Sequence, residues 1–363
     1  MPKKSLRSLA ERYEHGRSLR KKAPLEKHAD LLGPADRNPV AILAAGDRTR
    51  VPELVPIRYE RMLASPFTFL RGAAAVMAED LKHQTTAGIP VQACGDCHLL
   101  NFGAFATEEG NILFDINDFD ETLPSVDFTV DLKRLTASVA VAALAAKFSK
   151  KRTRATAAMT VESYRTRLRD LAKMSPLEVW HSKIELAREI KRIEDRSLRR
   201  DLHATITKAG KQLVEDDNFP HLVKGKQARI QDRPPLIYHF TKKSDARHRV
   251  DAERVFGLYR HRLPPERLFL FERYHLQDIA FKVVGVGSVG TFCAIGLFMS
   301  GDGAPLFLQI KEVNPFLSAW VPNTRVIRAG GSSRDSVPCR RRAMPSWVGP
   351  KTARRRDIFT CAN

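Results

Sequence analysis

The stretch Val91-Gln-Ala-Cys94-Gly95-Asp96-Cys97-His98-Leu-Leu-Asn101-Phe-Gly103 constrains this chain more than any other. It is followed by Asn111-Ile-Leu-Phe-Asp115-Ile-Asn117-Asp118-Phe119-Asp120-Glu121-Thr122. An apolar run enters a loop dense in Gly, Asp, His and Asn. A short turn follows, then a second apolar run that ends in carboxylates. The pattern reads as loop, strand, turn, strand, with the polar groups gathered at one end. Asp96 and Asn101 stand five apart, and Asp118 follows about twenty residues later. That set can hold a divalent cation and position a hydroxyl, which is what phosphoryl transfer needs.

The chain has 363 residues, enough for one large domain or two smaller ones around a substantial core. Its net charge of +20 points to an anionic partner such as a nucleotide. The charge is uneven, with ten Lys/Arg against two Asp/Glu from Arg325 to Asn363. Five cysteines without framework spacing argue against a disulfide scaffold. The N-terminus has charge but no apolar run, so no secretory signal is expected. The longest apolar run, Ala137 to Ala146, is too short to span a bilayer. These features predict a cytoplasmic protein with no membrane partner.

Along the chain, residues 1–54 read as a basic N-terminal arm with one helix. Two short helices separated at Pro66 are expected between Arg58 and Leu81, where Arg58, Arg61 and Arg71 lie close enough to face an anion or to make surface pairs. A buried helix follows Val126, with Asp131 either in its first turn or bracing the preceding loop. Residues 150–215 carry amphipathic patterns for two or three helices, and 216–245, rich in Pro and charge, read as a loop or boundary. The resulting division is a helical catalytic lobe over 55–245, a β-rich nucleotide-binding segment over 246–323, and a basic irregular tail over 324–363.

The β-rich segment contains Gly285-Val-Gly287-Ser288-Val-Gly290, followed by an apolar run, the Gly301/Gly303 turn and Pro305 to Val313. A Rossmann site would need a helix directly after the glycines. The second glycine turn favours strand, glycine turn, strand, hairpin, strand. In a kinase-type lobe such a loop covers the ATP phosphates and a lysine on the third strand contacts them. Gly285, Gly287, Ser288, Gly290 and Lys311 are therefore the cofactor-binding candidates. Asp96 and Lys311 are the catalytic candidates, and Asn101, Asp118 and Asp120 the Mg²⁺ ligands. His98 either contacts phosphate or packs beneath the loop. Cys94-Gly-Asp-Cys97-His98 also matches the c-type haem string, but that linkage belongs to exported proteins. A zinc site lacks a second cysteine pair, and a redox pair is the remaining alternative.

These residues resemble a bacterial domain-of-unknown-function family, number 2252 (DUF2252-like). Through it they resemble the aminoglycoside phosphotransferase and protein-kinase-like fold. The similarity rests on Ser65–Gly72, Cys94–Gly103, Phe114–Thr122, Asp131–Ser138, Gly285–Thr291 and Leu308–Glu312, within about residues 55–315. It implies an α+β, two-lobed, protein-kinase-like fold. It also implies a Mg²⁺/ATP-dependent phosphotransferase (a transferase) acting on an unidentified small-molecule or protein hydroxyl. In ordinary kinases the glycine loop and lysine come first. Here they follow the catalytic loop by about 190 residues, so a circularly permuted order is expected, because a site depends on where groups meet in space and not on chain order. Cys94 stands where phosphotransferases carry histidine, which implies a packing change. The resemblance is expected to stop near Asn323. A frameshifted C-terminus would then lack the helix that gives Lys311 a glutamate partner. Two other readings have their own motivation: a non-catalytic nucleotide-binding protein of the same fold, and a basic nucleic-acid-binding protein. No nucleic-acid motif supports the last. A metal-dependent phosphohydrolase would leave the glycine loop and Lys311 idle.

Overall fold

The computed structural model describes residues 7–107, 111–119, 121–212, 220–223, 228–239, 252–311 and 357–362. It is a mixed α+β fold in which helices pack with a five-stranded, mostly antiparallel sheet. The first helices are α1 (Leu9–Lys22), α2 (Pro39–Asp47), α3 (Val55–Leu63), α4 (Pro66–Gly72) and α5 (Ala74–Lys82). Their starts are written in the sequence. Ser8 and Glu11 form a capping box on α1, and Asn38 caps α2. Pro66, expected as the break between two helices, is the first residue of α4, with Ser65 capping it reciprocally with Thr68. The expected pair between Arg58 and Leu81 is thus three helices, because the chain turns again at Ala73.

The motif region follows as β1 (Pro90–Ala93), β2 (Phe102–Ala106), β3 (Ile112–Ile116) and β4 (Leu123–Asp127). Strand β1 pairs antiparallel with β4, and β2 with β3. Ala93 lies opposite Leu123, and Phe102 opposite Ile116, so both connecting loops emerge at one junction. The loop from β1 to β2 carries Asp96 and Asn101, and the loop from β3 to β4 carries Asp118. Helix α6 (Thr129–Ala145) then crosses behind the junction and packs on α7 (Lys150–Ala172). The amphipathic region continues through α8 (Pro176–His181), α9 (Leu186–Lys191) and α10 (Arg196–Gln212). That is one helix more than the period alone predicts, since Ser175-Pro176 starts a separate capped turn.

The stretch 216–245, expected as a loop, contains short strands among its described residues: β5 (Leu222–Val223), β6 (Arg229–Ile230) and β7 (Ile237–Tyr238). Strand β7 joins the main sheet because the Asp278 carboxylate on its neighbour accepts from Ile230 N at 2.8 Å and meets His239 Nε2 at 3.1 Å. After α11 (Ala252–Arg260) and α12 (Pro265–Phe271) come β8 (Tyr274–Lys282), β9 (Cys293–Ser300) and β10 (Pro305–Lys311), the expected strand, glycine turn, strand, hairpin, strand. Strand β11 (Asp357–Ala362) pairs parallel to β10, giving the sheet order β11-β10-β9-β8-β7.

Strand β9 is the centre of the core and is buried on both faces. Ile295, Leu297 and Met299 point to one side, where they meet Phe307, Ile230 and Ile237. Phe298 points to the other, against Phe256 of α11 and Leu306, Leu308 and Ile310. This alternation follows the two-residue period of an extended strand. Each buried Phe or Leu contributes roughly 1.5–3 kcal/mol relative to exposure. The β8-to-β9 loop is fixed to the helical layer in the same way. Val286 packs with Leu43, Met62 and Val76, and Val289 with Leu54, Phe281 and Phe292. Among the described residues no helix is long and apolar enough to cross a membrane.

Candidate functional site

The loop that carries Asp96 is built by backbone hydrogen bonds to two residues of α6. Asp131 accepts from Cys94 N at 2.7 Å and Gly95 N at 3.0 Å, one to each carboxylate oxygen. Both expected roles hold: Asp131 lies in the first turn of α6 and braces the loop. Asp127, ahead of the helix, accepts from Thr129 N and the Thr129 hydroxyl. Burial raises the Asp131 pKa, and the two amides pull against that rise. About two turns along α6, Ser138 Oγ accepts from Leu99 N at 2.9 Å and fixes the far end of the loop. Gly95 has φ +89°, and a Cβ there would lie 2.0 Å from the Glu121 carbonyl oxygen. Only glycine lets the two loops approach this closely.

Asp96 is buried, and its carboxylate is held by Arg134, whose Nε donates to Oδ1 at 2.8 Å. Arg134 Nη2 also donates to Leu70 O at 2.7 Å, which ties α4 to α6. His98 Nε2 lies 3.7 Å from the other Asp96 oxygen, beyond hydrogen-bond distance, and its ring meets Phe67 edge-on. His98 is buried, and burial holds its pKa below the usual histidine range, with Arg71 and Arg134 adding to the depression and Asp96 opposing it. It is therefore a neutral imidazole packed beneath the loop, with Nδ1 unbonded among the described residues. Asn101 donates through Nδ2 to Asp96 O at 2.6 Å, so its side-chain oxygen remains the acceptor end. Cys94 and Cys97 are buried free thiols. The neighbouring Cys97, then burial, push the Cys94 thiol far up, and Cys94 Sγ lies 3.5 Å from Asp118 O. They pack the loop as small neutral residues.

Asp118 approaches the same junction from the other hairpin. Asn117 N donates to Asn101 O at 2.8 Å, which sets the next residue beside the Asp96–Asn101 loop. Lys311, at the end of β10, lies opposite Cys293 on β9. Its ammonium Nζ is 3.8 Å from Asp118 Oδ2. The two residues belong to segments separated by most of the chain, and their side chains are 16% and 34% exposed, so the pair lies at a partly open edge. Asp120 lies outside the described residues, as do residues 312–356 of the region on which the irregular tail, the frameshift and the missing glutamate partner were expected; Asp357–Ala362, expected as irregular, is strand β11, because its backbone pairs with β10.

The glycine loop is the third part. Arg61 Nη1 donates to Gly285 O at 2.7 Å, Arg50 to Val289 O, and Val51 N to Gly290 O at 2.8 Å. These bonds all go to carbonyls. Among the described residues, none of the amides from Gly285 through Gly290 donates to another group. Gly290 has φ +84°, and a Cβ there would stand 3.1 Å from Arg50 Cβ. Two of the three arginines expected to face an anion or to make surface pairs, Arg58 and Arg61, have other tasks. Arg58 is buried on Asp47 at 3.0 Å and on Gly72 O, while Arg50 and Arg61 hold the loop. Burial and the adjacent Arg58 lower Arg50 to about 10, so it stays charged at neutral pH. Sequence reasoning missed Arg134. Its only signal was a cation inside the apolar run of α6, three residues after Asp131.

Residues 50–332 match the bacterial family described as "uncharacterized protein conserved in bacteria (DUF2252)". The chain belongs to this family. The match contains every segment described above, from Arg50 through Lys311, and runs nine residues past Asn323, where the resemblance was expected to end. No curated protein and no solved structure gives a match.

Among the described residues no group of three or more His, Cys, Asp and Glu gathers to hold a metal. A cation here would rest on the Asp118 carboxylate, the Asn101 amide oxygen and oxygens of its ligand. Mg²⁺ accepts such a set, since it keeps waters and is often bound through one or two carboxylates plus phosphates.

Proposed function

We propose that this chain is a kinase-like, Mg²⁺/ATP-dependent phosphotransferase acting on an unidentified hydroxyl acceptor. The fold would be two-lobed and circularly permuted, with the catalytic hairpins ahead of the glycine-loop sheet. The observation that carries the reading is the approach of Lys311 Nζ to Asp118 Oδ2 at 3.8 Å. It brings together a third-strand lysine and a strand-end carboxylate in the pairing that phosphate and metal binding require. The undonated amides of the glycine loop add to it, because successive backbone N–H groups suit an anion.

In this reading Asp118 and Asn101 would hold Mg²⁺, which when bound neutralises phosphate charge. Lys311 would contact the phosphates, and the loop from Gly285 to Gly290, including Ser288, would lie along them. Asp96 would orient and deprotonate the acceptor hydroxyl through Oδ2, with Oδ1 held by Arg134. Replacing Asp96 by Asn keeps the shape and removes the base. Asp96→Asn is expected to bind Mg-ATP within about twofold of wild type and to lose phosphotransfer or ATP hydrolysis by a hundredfold or more. Retained turnover in that variant would remove Asp96 from the mechanism.

One observation favours the second reading, a non-catalytic nucleotide-binding protein of the same fold. Asp96 is 8% exposed and already engaged by Arg134. Nucleotide binding without turnover in the wild-type chain, across a panel of hydroxyl acceptors, would select it.

A further inference from the structure

A cavity of about 1000 Å³ lies between α1 on one side and α6 and α7 on the other. None of Asp96, Asp118 or Lys311 lines it. Its walls are apolar: Leu9, Tyr13 and Leu19 face Leu132, Val161 and Leu168. Phe128 and Tyr164 also line it and stack on each other, with ring centroids 6.1 Å apart and planes at 10°. Leu9, Tyr13 and Leu168 are 48%, 54% and 44% exposed, so water now covers a concave apolar surface. Small residues make the room. Gly16, Ala137, Ala140 and Ala172 line the cavity, and a Cβ on Gly16 would meet nothing within 4 Å.

The polar groups around these walls are of one sign. Arg12, Arg17, Arg20, Lys133 and Arg165 line the cavity, and no Asp or Glu does. Arg17 and Arg165 have acidic neighbours within their own helices, Glu14 and Glu162. Arg12 and Arg20 form no ion pair among the described residues. Inside, the Thr136 hydroxyl is buried without a hydrogen-bond partner, one turn from Lys133 on the same face of α6.

We infer that this cavity binds a long-chain fatty-acid anion, its chain along the apolar walls and its carboxylate among the cations. The apolar lining excludes a nucleotide or sugar, and the all-cationic rim selects an anionic head group. The α1 wall precedes the matched segment 50–332. The site stands independently of the phosphotransfer reading.

The test uses the full chain and the fluorescent polyene acid cis-parinarate, displaced by palmitate. Saturable binding of one probe per chain is expected, with micromolar or tighter affinity. Each two-carbon shortening of the competitor should weaken it about tenfold. Gly16→Leu fills the cavity and suits a helix interior, so it should fold at least as well as wild type and bind palmitate at least tenfold more weakly. Ala140→Phe should do the same from the opposite wall. Palmitate methyl ester should bind at least tenfold more weakly than palmitate, and Arg12→Glu with Arg20→Glu should abolish that preference. The inference is overturned by absence of saturable binding, by a folded Gly16→Leu with unchanged affinity, or by equal affinity for acid and ester. A response to anionic phospholipid vesicles but not to dispersed acid would overturn it in favour of a membrane surface.

Discussion

Asp96 shows how a buried carboxylate can be both fixed and available. Arg134 takes one oxygen, and the peptide bonds around Asp96 are held by Asp131 and Asn101. Removing one member of a buried ion pair leaves the other uncompensated, at a cost of about 3–5 kcal/mol. Arg134→Met is therefore expected to lower unfolding stability by about 3 kcal/mol or more in chemical denaturation. The double variant with Asp96→Asn should recover part of that loss, and strict additivity would contradict the pairing. His98 gives a pH signature. Its folded pKa lies below the ordinary 6.5, so the unfolded chain takes up the proton first as pH falls. Its contribution to stability is complete above 6.5 and is lost as pH drops through the window beneath that value. His98→Asn should flatten the fall in stability below pH 6.5, read as the difference between the two pH profiles. A steeper profile in the variant would contradict a buried neutral imidazole.

At the scale of elements, the glycine loop is a rigid connector between sheet and helices, not a free flap. Its carbonyls are held by Arg50, Arg61 and the Val51 amide, and its two valines are in the core. Gly290→Ala combines a left-handed backbone with a Cβ 3.1 Å from Arg50, so a loss of about 1–2 kcal/mol is expected in thermal or chemical unfolding. Ser65→Ala should cost about 1 kcal/mol by uncapping α4. The elements that sequence reading recovered have strong local signals. The strands around Gly285–Gly290 carry continuous apolar runs, and the Gly301/Gly303 turn leaves no room for a helix. The extra helix at Pro176 and the start of α4 at Pro66 were harder to read, because proline marks a beginning as readily as a break. Strand β7 had no pattern of its own. It is two residues long and is held by the Asp278–His239 contact, which is long-range in sequence.

For the whole molecule, the central fact is the meeting of two distant segments at Asp118 and Lys311. The motif spacings name both residues, because Asp118 follows an apolar strand and Lys311 lies on the third strand after the glycine loop. What the spacings did not contain was the frame that joins them: Arg134 linking α4 to the Asp96 loop, and Arg50 and Arg61 linking the glycine loop to α3 and its approach. Those arginines resemble any other in a chain with net charge +20, and their hydrogen bonds to carbonyls distant in sequence separate them from the solvated ones. The measurement that reaches the central claim is titration of Mg-ATP into the wild-type chain and into Asp118→Ala, with Lys311→Met as the second probe. The account predicts saturable, magnesium-dependent binding by wild type and at least a tenfold loss in each variant, with folding unchanged. Equal affinity in all three proteins, or no binding by wild type, would contradict it.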